Sequence, residues 1–164
     1  FAYQLSKTIE LQENSFSIHY ELKNTGEKAI RTDEYVHNFM SINQYNIGPN
    51  YQLKFHFRLQ PTRFEETVNP EKKAIILRNG VQFNGTPTTP FFFSNLSGSE
   101  SVGASWQLIS LTHKIKIREK GDFKTDKVNL WGSGHVISPE LFIKLNILSG
   151  QTKEWTRQYD IFKI

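Results

Sequence analysis

Apolar and polar residues alternate one for one along two long stretches of the chain. In "SFSIHYELK", Phe16, Ile18, Tyr20 and Leu22 fall on one face and Ser17, His19, Glu21 and Lys23 on the other. The run "YQLKFHFRL" sets Tyr51, Leu53, Phe55, Phe57 and Leu59 against Gln52, Lys54, His56 and Arg58. A period of two belongs to a strand with one face in a core and one toward water, so both stretches are predicted as half-buried antiparallel strands. Shorter runs of the same kind occur at "KAIILR", "SWQLIS", "HKIKIRE", "ELFIKLNIL" and "EWTRQYDIF". Turn chemistry separates them, at "KNTGEK", "NIGPN", "RNG", "FNGTPTTP", "LSGSE", "EKGD", "WGSG" and "LSGQ". Many short strands punctuated by Gly, Asn and Pro predict an all-β, antiparallel sandwich.

No stretch combines sustained helical spacing with good caps, and there is neither a fixed-period repeat nor a low-complexity linker. One domain over residues 1–164 is therefore expected, large enough to bury roughly two thirds of the surface its unfolded chain exposes. The composition, 37% hydrophobic and 22% charged, is that of an ordinary soluble globular protein. No apolar run reaches bilayer-spanning length, and no membrane partner is expected. The compartment, cytoplasmic or periplasmic, stays open, as the chain starts at "FAYQLSKTIEL" without Met or a leader and any targeting segment would lie outside it.

Charge narrows the partners. The formal charge of +4 is spread along the sequence, and its densest patch, "HKIKIREKGDFKTDK", carries Glu119, Asp122 and Asp126 among the lysines. That pattern reads as a solvated strand and turn, not as a nucleic-acid footprint. The absence of cysteine excludes disulfides, thiolate nucleophiles and cysteine-based zinc sites. No two of the five histidines have the spacing of a local metal motif, so neither a metal nor a cofactor is expected. "LSGSES" lies in a turn and lacks the strand-to-helix setting of a nucleophilic serine. His19 and His56 fall on polar strand faces, and His113 shares the parity of Ile115 and Ile117 at an edge of the core.

His37 has a different setting. In "YELKNTGEKAIRTDEYVHNFMSI" a strand turns at Asn24-Thr25-Gly26 and returns through a second strand that ends at the histidine. The C-terminal stretch "VNLWGSGHVISPELFIKLNILSGQTKEWTRQYDIF" runs from a Trp-containing turn into a strand carrying Glu140, then through another turn to a last strand with Trp155. Together these resemble the aldose 1-epimerase, or galactose mutarotase-like, family. The resemblance implies a sandwich of the galactose mutarotase-like (supersandwich) type, with Glu140 as general base and His37 as general acid. Asn38, Tyr35 and Trp131 would then be substrate-binding neighbours of a monosaccharide or sugar derivative, and Trp155 a core residue.

The chemistry explains the residue types. Interconverting sugar anomers requires removing the proton of the anomeric hydroxyl and protonating the ring oxygen, after which the open chain rotates and closes on the other face. One acid and one base near neutral pKa suffice. If each reaches its own substrate atom across a pyranose, they should stand roughly 5–8 Å apart, without direct contact. Alternation places Glu140 with Phe142, Lys144 and Asn146, opposite Leu141, Ile143, Leu145 and Ile147, a face that solvent would also select.

The resemblance reaches only the second half of a usual family member. Its N-terminal portion, which supplies an arginine and another histidine, has no counterpart, and its ligand-binding aspartate is not identifiable in "TRFEETVNPEKKAIILRNGVQFNG". Two expectations follow: a fragment whose N-terminal half lies elsewhere, or a reduced sandwich with lost or altered activity. The functional alternative to an epimerase is a noncatalytic carbohydrate-binding or accessory domain.

Overall fold

The computed structural model describes residues 2–164, so Phe1, the first residue of the expected domain, lies outside the described residues. In chain order the strands begin with β1 (Tyr3–Gln12), β2 (Ser15–Asn24), β3 (Ile30–Glu34) and β4 (Tyr51–Phe55). After a short 3-10 turn at Pro61–Arg63 come β5 (Thr67–Val68), β6 (Ala74–Leu77), β7 (Gly80–Phe83) and β8 (Phe91–Phe93). The last five are β9 (Gly103–Ser110), β10 (Ile115–Lys124), β11 (Lys127–Gly132), β12 (Ile137–Ile147) and β13 (Thr152–Lys163).

They form two antiparallel sheets. One has eight strands in the order β1-β2-β13-β10-β9-β4-β7-β6, the other five in the order β3-β12-β11-β8-β5. Alternation builds the interface between them: in β4, Tyr51, Leu53 and Phe55 are buried while Lys54 is exposed. They meet Trp106 and Leu108 of β9 in the same core as Phe91, Phe93, Leu130 and Leu141 of the smaller sheet. A second cluster, Tyr20, Leu22, Leu145, Ile147 and Trp155, fills the other end, with Tyr20 stacked on Trp155 at 5.1 Å. Fully burying one such side chain is worth about 1.5–3 kcal/mol. Gly132 is needed for this packing, because a Cβ there would collide with the Phe91 ring.

Two expected features differ. The strand predicted through Leu59 ends at Phe55, where its partner β7 begins and the Asn79 carbonyl accepts from Phe55 N–H. The turn at Asn24-Thr25-Gly26 does not join a pair of neighbouring strands. β2 belongs to the large sheet and β3 to the small one, so the turn is an arch across the sandwich. Asn24, fully buried, pins it by donating to the carbonyls of Ile147 and Lys28 and accepting from Gly26 N–H.

β1 lies at the edge of the large sheet and pairs with β2 along its whole length, yet every one of its residues is exposed. Its face carrying Tyr3, Leu5 and Lys7 looks across a groove of about 600 Å³ toward β3.

Candidate functional site

The small sheet positions the site through an interruption in its own ladder. β3 pairs with β12 from Glu34 opposite Ile143 to Ile30 opposite Ile147, and an isolated bridge joins Met40 to Ile137. Between those pairings, residues 35–39 leave the sheet opposite residues 138–142. His37 therefore lies beyond the end of the returning strand, in the bulged segment itself. Backbone groups that lose ladder partners must find others. The Pro139 carbonyl takes a hydrogen bond from the Asn38 side-chain amide at 2.6 Å, and the Leu141 carbonyl takes one from Arg157 at 2.9 Å. Pro139 has no N–H to leave unpaired, which suits a proline to this place.

On the outer face of β12, His37 and Glu140 meet directly, with Nδ1 2.8 Å from Oε1. This replaces the expected gap of a sugar's width. Nor does Glu140 lie on a solvated face: it is 3% exposed, because the bulged segment covers it, whereas His37 is open to solvent. Burial pushes the Glu140 carboxyl above the usual carboxylate range, and His37, Ser138 and Lys127 pull it back only in part. A contact of 2.8 Å calls for a proton between the two atoms, and with that proton on Nδ1 the other ring nitrogen, Nε2, is an acceptor turned to the Tyr35 hydroxyl. Tyr35 Oη lies 3.3 Å from Nε2.

Aromatic rings surround this pair. Phe39 stacks on the His37 imidazole at 5.1 Å and 9°, and Trp131 meets Phe39 edge-on at 5.6 Å. Tyr35 stacks on Phe142 at 4.2 Å and presents its ring edge-on to His37. Tyr35 thus meets His37 directly, whereas Trp131 reaches the pair only through Phe39. Phe39 joins them, 53% exposed where a core residue would be sealed. Its signal in the sequence was its parity with Tyr35 and His37.

Asn38 turns inward: its side chain donates to Glu119 at 3.1 Å while accepting from the Tyr159 hydroxyl at 2.9 Å. Glu119, read from sequence as part of a solvated strand, is wholly buried, with Trp106 and Arg157 also donating to it. Arg157 is likewise buried and bridges Glu119 to Glu34. Burial pushes the Glu119 carboxyl up against the pull of Arg157, Trp106 and Asn38. Sequence reasoning missed this cluster although parity carried a signal: Glu119 falls with Ile115 and Ile117, and Arg157 with Trp155 and Tyr159.

Among the described residues no group of three or more His, Asp or Glu side chains is placed to hold a metal ion, and no helix is long and apolar enough to cross a membrane. The groove beside β1 runs from His37 past Tyr35 and Glu34 to Tyr20 and Trp155.

No protein-family model matches the chain, and no curated protein matches it. Solved structures do. A provisionally assigned aldose 1-epimerase from Escherichia coli K12 matches with a TM-score of 0.70 at 8% identity, over 99% of this chain and 61% of that one. A galactose mutarotase-like protein from Lactobacillus casei matches with a TM-score of 0.62 at 16% identity, over 98% and 63%. A TPR-domain containing protein from Parabacteroides distasonis matches at 0.61 and 10% identity, over 99% of this chain and 30% of its own. The chain thus spans less than two thirds of the length of each of these three structures. Its two antiparallel sheets form a sandwich with the fold of part of the galactose mutarotase-like proteins.

Proposed function

We propose that the chain is a carbohydrate-active, mutarotase-like protein that interconverts the anomers of a free aldose or sugar derivative, with His37 and Glu140 as its proton-transfer pair. The observation that carries this reading is the contact between a sealed, upshifted carboxylate and an imidazole open to solvent inside an aromatic rim. Such rims suit sugars, whose ring faces are apolar while their edges carry hydroxyls.

The contact changes the division of labour. Because His37 covers Glu140, a sugar reaches the imidazole first. Nε2 takes the proton of the anomeric hydroxyl while Glu140 accepts from Nδ1–H and stabilises the imidazolium that forms. The resulting hemiacetal anion opens, the anomeric C–O bond to the ring oxygen breaking as the carbonyl forms. The ring oxygen, now an alkoxide, takes the proton back from Nε2. Both oxygens sit on the same carbon, so one nitrogen serves each in turn with little movement. Rotation about the bond to the next carbon and the reverse steps give the other anomer. No redox equivalent or covalent intermediate is required.

Phe39, Tyr35 and Trp131 would form the walls against which the ring lies, and further polypeptide, the portion the longer matched structures possess, would complete the pocket. A second reading, a noncatalytic carbohydrate-binding or accessory sandwich within a larger protein, is favoured by the match that occupies only 30% of a TPR-domain containing chain. Polarimetry on freshly dissolved α-D-glucose and α-D-galactose, run beside a binding measurement, separates the two. Acceleration that His37→Asn removes supports the enzyme, and sugar binding without acceleration supports the accessory domain.

A further inference from the structure

The bulged segment presents its side chains alternately, with His37 and Phe39 outward and Asn38 between them turned inward. Asn38 takes the place of a strand neighbour: its amide nitrogen satisfies the Pro139 carbonyl, and its main-chain N–H donates to Ser138 Oγ at 3.0 Å. The same amide nitrogen donates to Glu119, and the amide oxygen accepts from Tyr159. The partners leave one orientation for the amide, since Pro139 O and the Glu119 carboxylate only accept. Immediately after it, Phe39 has a left-handed backbone, φ 43°, which a bulky side chain avoids. That backbone lays the Phe39 ring on the imidazole.

We infer that Asn38, anchored through Glu119 and Tyr159 to the opposite sheet, is the positioning residue of this site, holding the strained Phe39 backbone and so fixing His37 between the Phe39 ring and Glu140. Its anchor is rigid. Glu119 receives Arg157 and Trp106 from neighbouring strands, and burial pushes the Tyr159 hydroxyl up so that it remains a donor. Freed of this clamp, Phe39 relaxes to an ordinary backbone, its ring leaves the imidazole, and His37 is no longer held against Glu140. The consequence for turnover rests on the proton-transfer reading proposed above, whereas the consequence for geometry does not.

The test uses the whole chain with ring-labelled histidine, the His37 signals being assigned by their loss in His37→Asn. In the parent protein the stacked Phe39 ring shifts the His37 Hε1 resonance upfield, and Phe39→Ala supplies the unshifted reference. Asn38→Ala is expected to bring the resonance to that reference while the Trp106 and Trp155 indole signals stay dispersed. With α-D-glucose as probe, kcat should fall about tenfold or more with KM nearly unchanged, since a misplaced catalytic group costs turnover more than binding. Tyr159→Phe removes a single hydroxyl and keeps the core filled, and is expected to move the resonance part of the way. It carries the test if Asn38→Ala does not fold. A folded variant that retains the full ring-current shift overturns the inference. If the parent protein does not accelerate anomer interconversion, the proton-transfer reading fails by itself and the resonance still decides the role of Asn38.

Discussion

The His37 imidazole rests against the Glu140 carboxylate, Nδ1 to Oε1 at 2.8 Å, with one partner open to solvent and the other sealed beneath it. A buried carboxylate in such a contact orients the ring, and the exposed partner is the one that a substrate would reach first.

Removing either member should therefore cost about as much as removing both. His37→Asn and Glu140→Gln are each expected to lower the rate of anomer interconversion by roughly 10²–10⁴-fold, and the double variant by no more than the worse single. The pH profile should lose activity on the acid side at a value above the usual carboxylate range, because burial holds the Glu140 carboxyl up. Two independent losses that multiply in the double variant would mean the residues do not act as a pair.

Much of the sandwich was legible in the sequence, and the reasons are local. Alternation at Phe16 to Leu22 and Tyr51 to Phe55 fixes which face enters the core, since a slip of one residue would invert every side chain. Legibility failed where a polar side chain takes a core position. Glu119 and Arg157 have the parity of their apolar neighbours, but charge argued for solvent, and only the pairing of β10 with β13 brings them together. It failed again at Glu140, whose strand alternates in its exposed second half and is buried on both faces in its first. The cover there comes from a segment a hundred residues away. His37 could be picked out by its setting, but its contact with Glu140 depends on a break in the β3 ladder that no local pattern announces.

The rings of Phe39, exposed, and Trp131, half-buried, predict binding losses that leave the fold intact. Phe39→Ala and Trp131→Ala are each expected to weaken sugar binding about twofold to tenfold, taking a ring-to-sugar contact as worth about as much as an aromatic pair, ~0.5–1.5 kcal/mol. Leu11→Ala, on a still more exposed residue of β1 far from His37, should leave affinity unchanged. Calorimetric titration with D-galactose would show it. Equal losses at all three positions would refute an aromatic site around His37.

Glu71 is expected to contribute an acid-sensitive share of stability. Hydrogen bonds from the Thr88 hydroxyl and main-chain N–H, with Lys73 nearby, hold its carboxyl at about 2. A carboxyl whose folded value is depressed contributes stability that is present above its unfolded value and lost as pH falls through the folded one. The contribution of Glu71 should thus be complete above about pH 4.5 and gone below about pH 2. Urea midpoints should fall more steeply for the parent protein than for Glu71→Gln across that window, and the two should converge at its acid end. Parallel curves would show that the Thr88 contacts do not distinguish ionised from neutral Glu71.

Arg157 predicts the largest loss of stability. Its guanidinium is wholly buried and bridges Glu119, also wholly buried, to Glu34, which keeps contact with water. Removing the cation strands Glu119 in the core with only Trp106 and Asn38 as donors, while Glu34 can turn to solvent. Breaking one side of a buried pair costs about 3–5 kcal/mol, so Arg157→Met should destabilise by that order although Met fills much of the space. Glu119 adds a pH signature. Burial already raises its carboxyl, and loss of Arg157 raises it further, so the folded protein binds a proton that the unfolded chain releases. Stability of the variant must then fall as pH rises above the ordinary carboxylate value, and its deficit should be greater near pH 8 than near pH 5. Adding Glu119→Gln removes the charge that needs a partner, and the double variant should be more stable than Arg157→Met alone at the higher pH. Urea denaturation at both pH values decides the matter: a deficit independent of pH and additive in the double variant would mean that packing, and not the ion pair, is what Arg157 contributes.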